Sequence, residues 1–121
     1  MTLVPTNLEL IVGESNIFEI DINTDLDPGD EVYFTAKYRR TDSDANAAIS
    51  KKRSAGGIVD TDAPQGKCQV QIVRADTLSL TGRALIYDVK VEKVDATPDL
   101  LQTVGKGVIR LIYPVNADAP P

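Results

Sequence analysis

Short stretches in which apolar and polar side chains alternate recur along the whole chain: NIFEIDIN, EVYFTAKYRR, KCQVQIV, RALIYDVKVEK and VIRLIY. A period of two places successive side chains on opposite faces of an extended strand, so each stretch predicts a strand with one buried and one wet face. The first strand is expected over Leu8–Val12, ended by the turn Gly13-Glu14-Ser15. In the next, Phe18, Ile20 and Ile22 share one face and Glu19 and Asp21 the other. Asp27-Pro28-Gly29-Asp30 then reads as a turn, because proline presets φ and glycine accepts positive φ. The third strand sets Val32, Phe34, Ala36 and Tyr38 against Tyr33, Thr35, Lys37 and Arg39.

A polar excursion follows at 41–57, within which Ala48–Lys52 predicts an edge strand whose lysines oppose pairing with a second sheet. A brief strand is expected at Ile58–Asp60, then a turn-rich loop from Asp62 to Gly66. Cys68, Val70 and Ile72 define the next inward face. Arg74–Leu80 breaks the alternation; Asp76 is expected to cap one helical turn, with Leu78 and Leu80 plugging an end of the core. Leu85, Tyr87, Val89 and Val91 form the longest inward face, and Asp95–Asp99 reads as a hairpin loop. A short piece at Leu101–Val104 and a last strand at Val108–Tyr113 flank Gly105 and Gly107, which mark a bend or bulge. Seven to nine short strands with no long helical pattern predict an all-β fold, an immunoglobulin-like antiparallel β-sandwich. The Cys…Trp…Cys arrangement of antibody domains is missing, so the likeness is one of architecture. One sandwich domain is expected over 1–115 and a mobile tail over 116–121.

Composition narrows the chemistry. The chain of 121 residues is 42% hydrophobic, which favours one packed domain over disorder. It has no histidine and no tryptophan, and one cysteine, Cys68, on the apolar parity of its strand. That cysteine cannot form an intrachain disulfide and reads as a buried, inert thiol. Without histidine, a serine or cysteine nucleophile lacks its usual base, and a zinc site lacks its usual ligands. No glycine-rich phosphate loop precedes a helix. The 18 acids always allow a carboxylate pair, but nothing selects one. No catalytic, cofactor-binding or metal residue is therefore assigned, and the chain is read as a non-enzyme.

One stretch is metal-like. Asp21, Asn23 and Asp25 fall at the first, third and fifth positions of a calcium loop. Leu26 stands where that loop requires glycine, and Val32 where it requires a bidentate glutamate. An acidic turn over Asp21–Glu31 is the expectation.

Residues 1–15 lack a basic start and a continuous apolar stretch, and no run nears the ~20 apolar residues of a membrane helix. A soluble chain that binds neither membrane nor nucleic acid is expected, since phosphate binding needs a positive surface. The net charge of −5 is unevenly spread. The first 31 residues hold eight acids and no base, whereas residues 32–53 hold six bases and two acids. Such a split suits contacts between copies.

Taken in order, several stretches resemble a family of small bacteriophage structural domains, the N-terminal domain of the upper baseplate proteins of phages of Gram-positive bacteria. ELIVGESNIFEIDIN is similar to the family's opening of strand, glycine, acid, small polar residue and alternating strand. EVYFTAKYRR with AAISKK resembles its next strand and edge piece. GGIVDTDAPQGKCQVQIVRADTLSLTGRALIYDVKVEK resembles its most recognisable part, and TVGKGVIRLIYPV its closing glycine-containing strand. The order and spacing of these pieces, over nearly the whole chain, carry the resemblance.

The resemblance implies a virion structural protein, assembled in the cytoplasm of the host bacterium. It would act as a docking, attachment or decoration module in tail, neck or head. Its partners would be other virion proteins and copies of itself, as a homo-oligomer in the particle. Thr77, Leu80, Tyr87 and Asp88 read as structural positions, with Asp88 bonding a nearby loop. Larger family members continue into coiled-coil or receptor-binding parts, so this chain is expected to carry the docking module alone. The competing reading is a cell-surface or secreted adhesive β-sandwich that binds glycan or protein, with Tyr33 and Tyr113 as its exposed aromatic residues.

Overall fold

The alternating stretches form eight strands among the residues that the structure, a computed structural model, describes: 6–94 and 100–114. These are β1 (Leu8–Ile11), β2 (Asn16–Asp21), β3 (Glu31–Lys37), β4 (Ile49–Lys52), β5 (Ile58–Asp62), β6 (Lys67–Ile72), β7 (Ala84–Lys93) and β8 (Leu100–Ile112). The fold is all-β, with one helical turn, α1 (Arg74–Thr77), and three short 3-10 turns. Five strands make a first sheet in the order β1-β8-β7-β3-β4, and three make a second in the order β2-β6-β5.

β1 runs parallel to β8, with Leu8 opposite Ile109 and Ile11 opposite Ile112. The first sheet is therefore mixed rather than antiparallel as expected. The reason lies at the end of β1, where the Asn16 side chain accepts the N–H of Ile11 at 2.9 Å and donates to its carbonyl at 3.0 Å. This closes β1 locally and sends the chain into the other sheet, so β1 and β2 do not form a hairpin. The expected hairpin loop at Asp95–Asp99 and tail at 116–121 lie outside the described residues.

The inward parities meet in one core. Leu10, Phe34, Leu85 and Ile109 of the first sheet and Cys68, Val70 and Ile72 of the second are fully buried. Phe18 and Phe34 join the sheets with ring centroids 6.1 Å apart, and Phe34 stacks on Tyr87 at 5.4 Å. Each such aromatic pair is worth about 1 kcal/mol beyond its buried area. Alternation along β3 and β7 is as the sequence predicts, up to Ala36. Tyr38 lies past the end of β3 and is 41% exposed; its hydroxyl accepts the N–H of Thr81.

Three further expectations are corrected. Leu80 is buried, but Leu78 is 61% exposed, because the single turn of α1 directs only one of the two leucines inward. Asp76 is the third residue of that turn rather than its cap, and its carboxylate accepts the N–H of Val73 at 2.9 Å. The piece at Leu101–Val104 is not separate. It belongs to a single long β8, whose pairing with β7 slips between Val89 and Lys90 and leaves Val104 as the extra residue. Such a bulge bends a strand without ending it.

Gly107 has a different use. A Cβ there would lie 1.9 Å from the carbonyl oxygen of Thr6. The chain entering β1 crosses β8 at that point, held by Thr6 N–H to the Lys106 carbonyl and by the Tyr87 hydroxyl to the Thr6 carbonyl.

Candidate functional site

The outward parities of β3, β7 and β8 stand side by side on the first sheet. Register places Lys37, Ile86 and Val108 on one level, Thr35, Asp88 and Lys106 on the next, and Tyr33, Lys90 and Thr103 on a third. Levels lie about 6.8 Å apart, two residues along a strand, and neighbouring strands about 4.8 Å apart. A shallow groove of about 590 Å³ runs over this face, with Arg40, Asp44 and Leu101 at its rim.

The groove is more basic than the chain as a whole. Four bases, Lys37, Arg40, Lys90 and Lys106, face two acids, Asp44 and Asp88. Lys37 and Asp44 pair at 2.7 Å, and the Lys37 ammonium holds the Asp44 carboxyl below its ordinary value. Among the described residues, Arg40, Lys90 and Lys106 form no ion pair. These cations remain able to answer charge from outside the chain. The bland account is a solvated sheet face, but such a face has no need to gather unpaired bases in one depression.

The acid-rich stretch Asp21–Glu31 takes a different form from a metal loop. Asp21 accepts the N–H of Asn23, which adopts positive φ. The side chain of Asp30 is wholly buried. One oxygen accepts from Val94 N–H at 2.9 Å; the other accepts from Asp27 N–H at 2.8 Å and from the Lys93 ammonium at 2.5 Å. Burial alone pushes the Asp30 carboxyl up, but those three donors outweigh it and hold the group below its ordinary value. The same pairing raises Lys93 against the pull of its own desolvation.

Arg53 braces the loop from the other side. It donates to the carbonyls of Asp27 and Asp30 at 2.9 and 2.8 Å and grips both carboxylate oxygens of Asp60. Asp30, the best-buried acid of the stretch, thus spends its oxygens on closing one end of the two-sheet core. Among the described residues, no three Cys, Asp or Glu side chains gather as metal ligands.

The remaining singled-out positions divide clearly. Thr77 is fully buried and its hydroxyl donates to the Arg74 carbonyl and accepts from Gly13 N–H, both at 2.8 Å. Leu80 and Tyr87 are core residues. Cys68 is fully buried, and burial pushes its thiol up to about 11, which keeps it protonated and unreactive. Asp88 differs from expectation: it lies in the groove beside Lys106 and, among the described residues, bonds no loop. Outward parity on a central strand leaves it on the sheet face, out of reach of either end. Tyr113 is half-exposed and donates to the Gly82 carbonyl at 2.8 Å, whereas Tyr33 is partly covered in the groove.

The groove itself was not singled out in the sequence. Its strands were legible, but the placing of β8 beside β7, which brings Lys106 near Lys90, depends on sheet order. No known protein family matches the chain, and no curated protein matches it. Among the described residues, no helix is long and apolar enough to cross a membrane.

Proposed function

We propose that the chain is a bacteriophage virion structural protein, an immunoglobulin-like β-sandwich that serves as a docking, attachment or decoration module in tail, neck or head. The observation that carries this reading is the order and spacing of glycine turns and alternating strands over nearly the whole chain. Strand order supports the architectural part. β8-β7-β3-β4 beside β2-β6-β5 corresponds to the arrangement of strands G, F, C and C′ against B, E and D in variable-type immunoglobulin domains. β1, in the place of strand A, pairs among the described residues with β8 and not with β2.

The mechanism is binding. Two sheets sharing a core hold surface residues at fixed spacing, and the groove offers unpaired cations to an acidic partner. Mass spectrometry of density-banded particles from a host producing the phage tests the assignment. The chain is expected at a fixed copy number per particle, and its gene among tail or capsid genes. Loss of the chain from washed particles overturns it, and specific binding on a glycan array would favour the adhesive reading instead.

A further inference from the structure

We propose that the groove on the first sheet docks the outer face of β2 from a second copy of this chain, in a head-to-tail contact. The proposal rests on the reading of the chain as a docking module and names the partner of its groove.

The two surfaces match in sign and period. On β2, Ile17, Glu19 and Asp21 share the outer face of the second sheet, and Ile17 is 59% exposed. Glu19 forms no ion pair among the described residues, and Lys67, across from Asp21, forms none either. On the groove, successive levels hold Val108 beside Ile86, then Lys106 beside Asp88, then Lys90 beside Thr103, so the row Val108, Lys106, Lys90 steps from β8 onto β7. Apolar, acid, acid therefore faces apolar, base, base. The β2 row advances about 6.8 Å per step, and the groove row takes one such step along β8 and a longer diagonal one onto β7. A β2 strand laid obliquely from β8 onto β7 brings Ile17 over Val108, itself 41% exposed, Glu19 over Lys106, with Asp88 to one side, and Asp21 over Lys90.

The open edge of β2 permits this approach. Ile22 N–H donates to the Gly66 carbonyl, so even-numbered residues of this strand turn their backbone toward β6. The backbone groups of Ile17, Glu19 and Asp21 point the other way, and among the described residues no strand lies along them. The contact joins unlike surfaces. It therefore propagates from copy to copy and closes into a ring or runs on as a filament.

Sedimentation velocity tests the contact. The wild type is expected to self-associate at low salt and less so as salt rises. Lys90→Glu/Lys106→Glu removes the groove, and Glu19→Lys/Asp21→Lys removes the acidic row; each is expected to weaken association by about tenfold or more. Mixed together they offer one native contact and one charge-swapped contact, so the mixture is expected to associate again where each variant alone does not. Since Asp21 also accepts the N–H of Asn23, Glu19→Lys alone serves if the double variant unfolds.

A wild type that stays monomeric, variants that associate like the wild type, or a mixture that stays monomeric each overturns the contact. A monomeric chain that is still present in particles removes this inference and leaves the virion assignment standing. Self-association by a chain missing from particles does the reverse.

Discussion

The two ends of the molecule are closed by different chemistry. At one end, the loop before β3 is held by charge: Asp30 with Lys93, and Arg53 with Asp60 and two loop carbonyls. At the other, hydroxyls meet backbone groups: Thr77 with Gly13 and Arg74, Tyr38 with Thr81, Tyr113 with Gly82. The difference follows from what each end must cover. The chain from Asp25 to Glu31 carries four acids, and cations are needed to bring an acid among them into the protein. The opposite end keeps its charged contacts, Lys51 with Asp76 and Arg74 with the Gly13 carbonyl, around a centre over Leu80 that is held by neutral hydrogen bonds. A charged closure is strong while intact, costly when halved and sensitive to pH, whereas a hydroxyl closure loses less when cut.

The largest effect separating the ends comes from Asp30→Ala. It leaves Val94 N–H and Asp27 N–H without their acceptor and Lys93 with only the Asp25 carbonyl and the more distant Asp27 carboxylate, and should cost about 3–5 kcal/mol in urea unfolding. A loss under about 1 kcal/mol would show that water replaces the carboxylate and that the charged end is no anchor.

Gly66→Ala acts on the same end through the backbone. Gly66 has φ +73°, and a Cβ there would lie 2.1 Å from the Thr24 carbonyl oxygen. The left-handed backbone alone costs about 1–2 kcal/mol, and the clash adds to it by parting the loop from the β5–β6 turn. The melting temperature should fall by several degrees, and an unchanged value would show that the loop yields freely.

Thr77→Val keeps the shape of the opposite end and removes its central hydroxyl. The expected cost is about 1–3 kcal/mol, for one part-buried N–H left without its acceptor at Gly13. A cost equal to that of Asp30→Ala would erase the contrast between the ends.

The subtlest test is pH. Asp30 is held below its ordinary value of 3.8, so its contribution is present above that pH and is lost as pH falls through the lowered folded value. Lys93 is held above its ordinary value of 10.5, so its contribution is present below that pH and is lost as pH rises through the raised one. Amide exchange at Val94 should therefore quicken in strong acid, relative to the globally protected amides, before exchange at Gly13 does. Equal acceleration at both ends would sink the idea of a local charged latch.

Much of the core was legible because a strand has a strict period. Val32, Phe34, Cys68, Val70, Leu85 and Val89 are buried where alternation put them. Legibility stopped where a residue's neighbour lies far along the chain. Leu78 and Leu80 share one sequence parity, yet one helical turn gave them opposite fates. Gly107 looked like a bend and proved to be a crossing point for Thr6, about a hundred residues away. Asp30 read as a turn acid, and nothing in the sequence pointed to Lys93 as its partner.

What the sequence by itself determined is the set of strands, their inward faces, the buried thiol and the uneven charge. All of these follow from periodicity and composition, which are local. Tertiary structure alone decided that β1 lies parallel to β8, that Asp30 meets Lys93, and that Lys90 and Lys106 share a groove. Each of these depends on which strands become neighbours, and that is settled by burying all the inward faces at once rather than by any one stretch of residues.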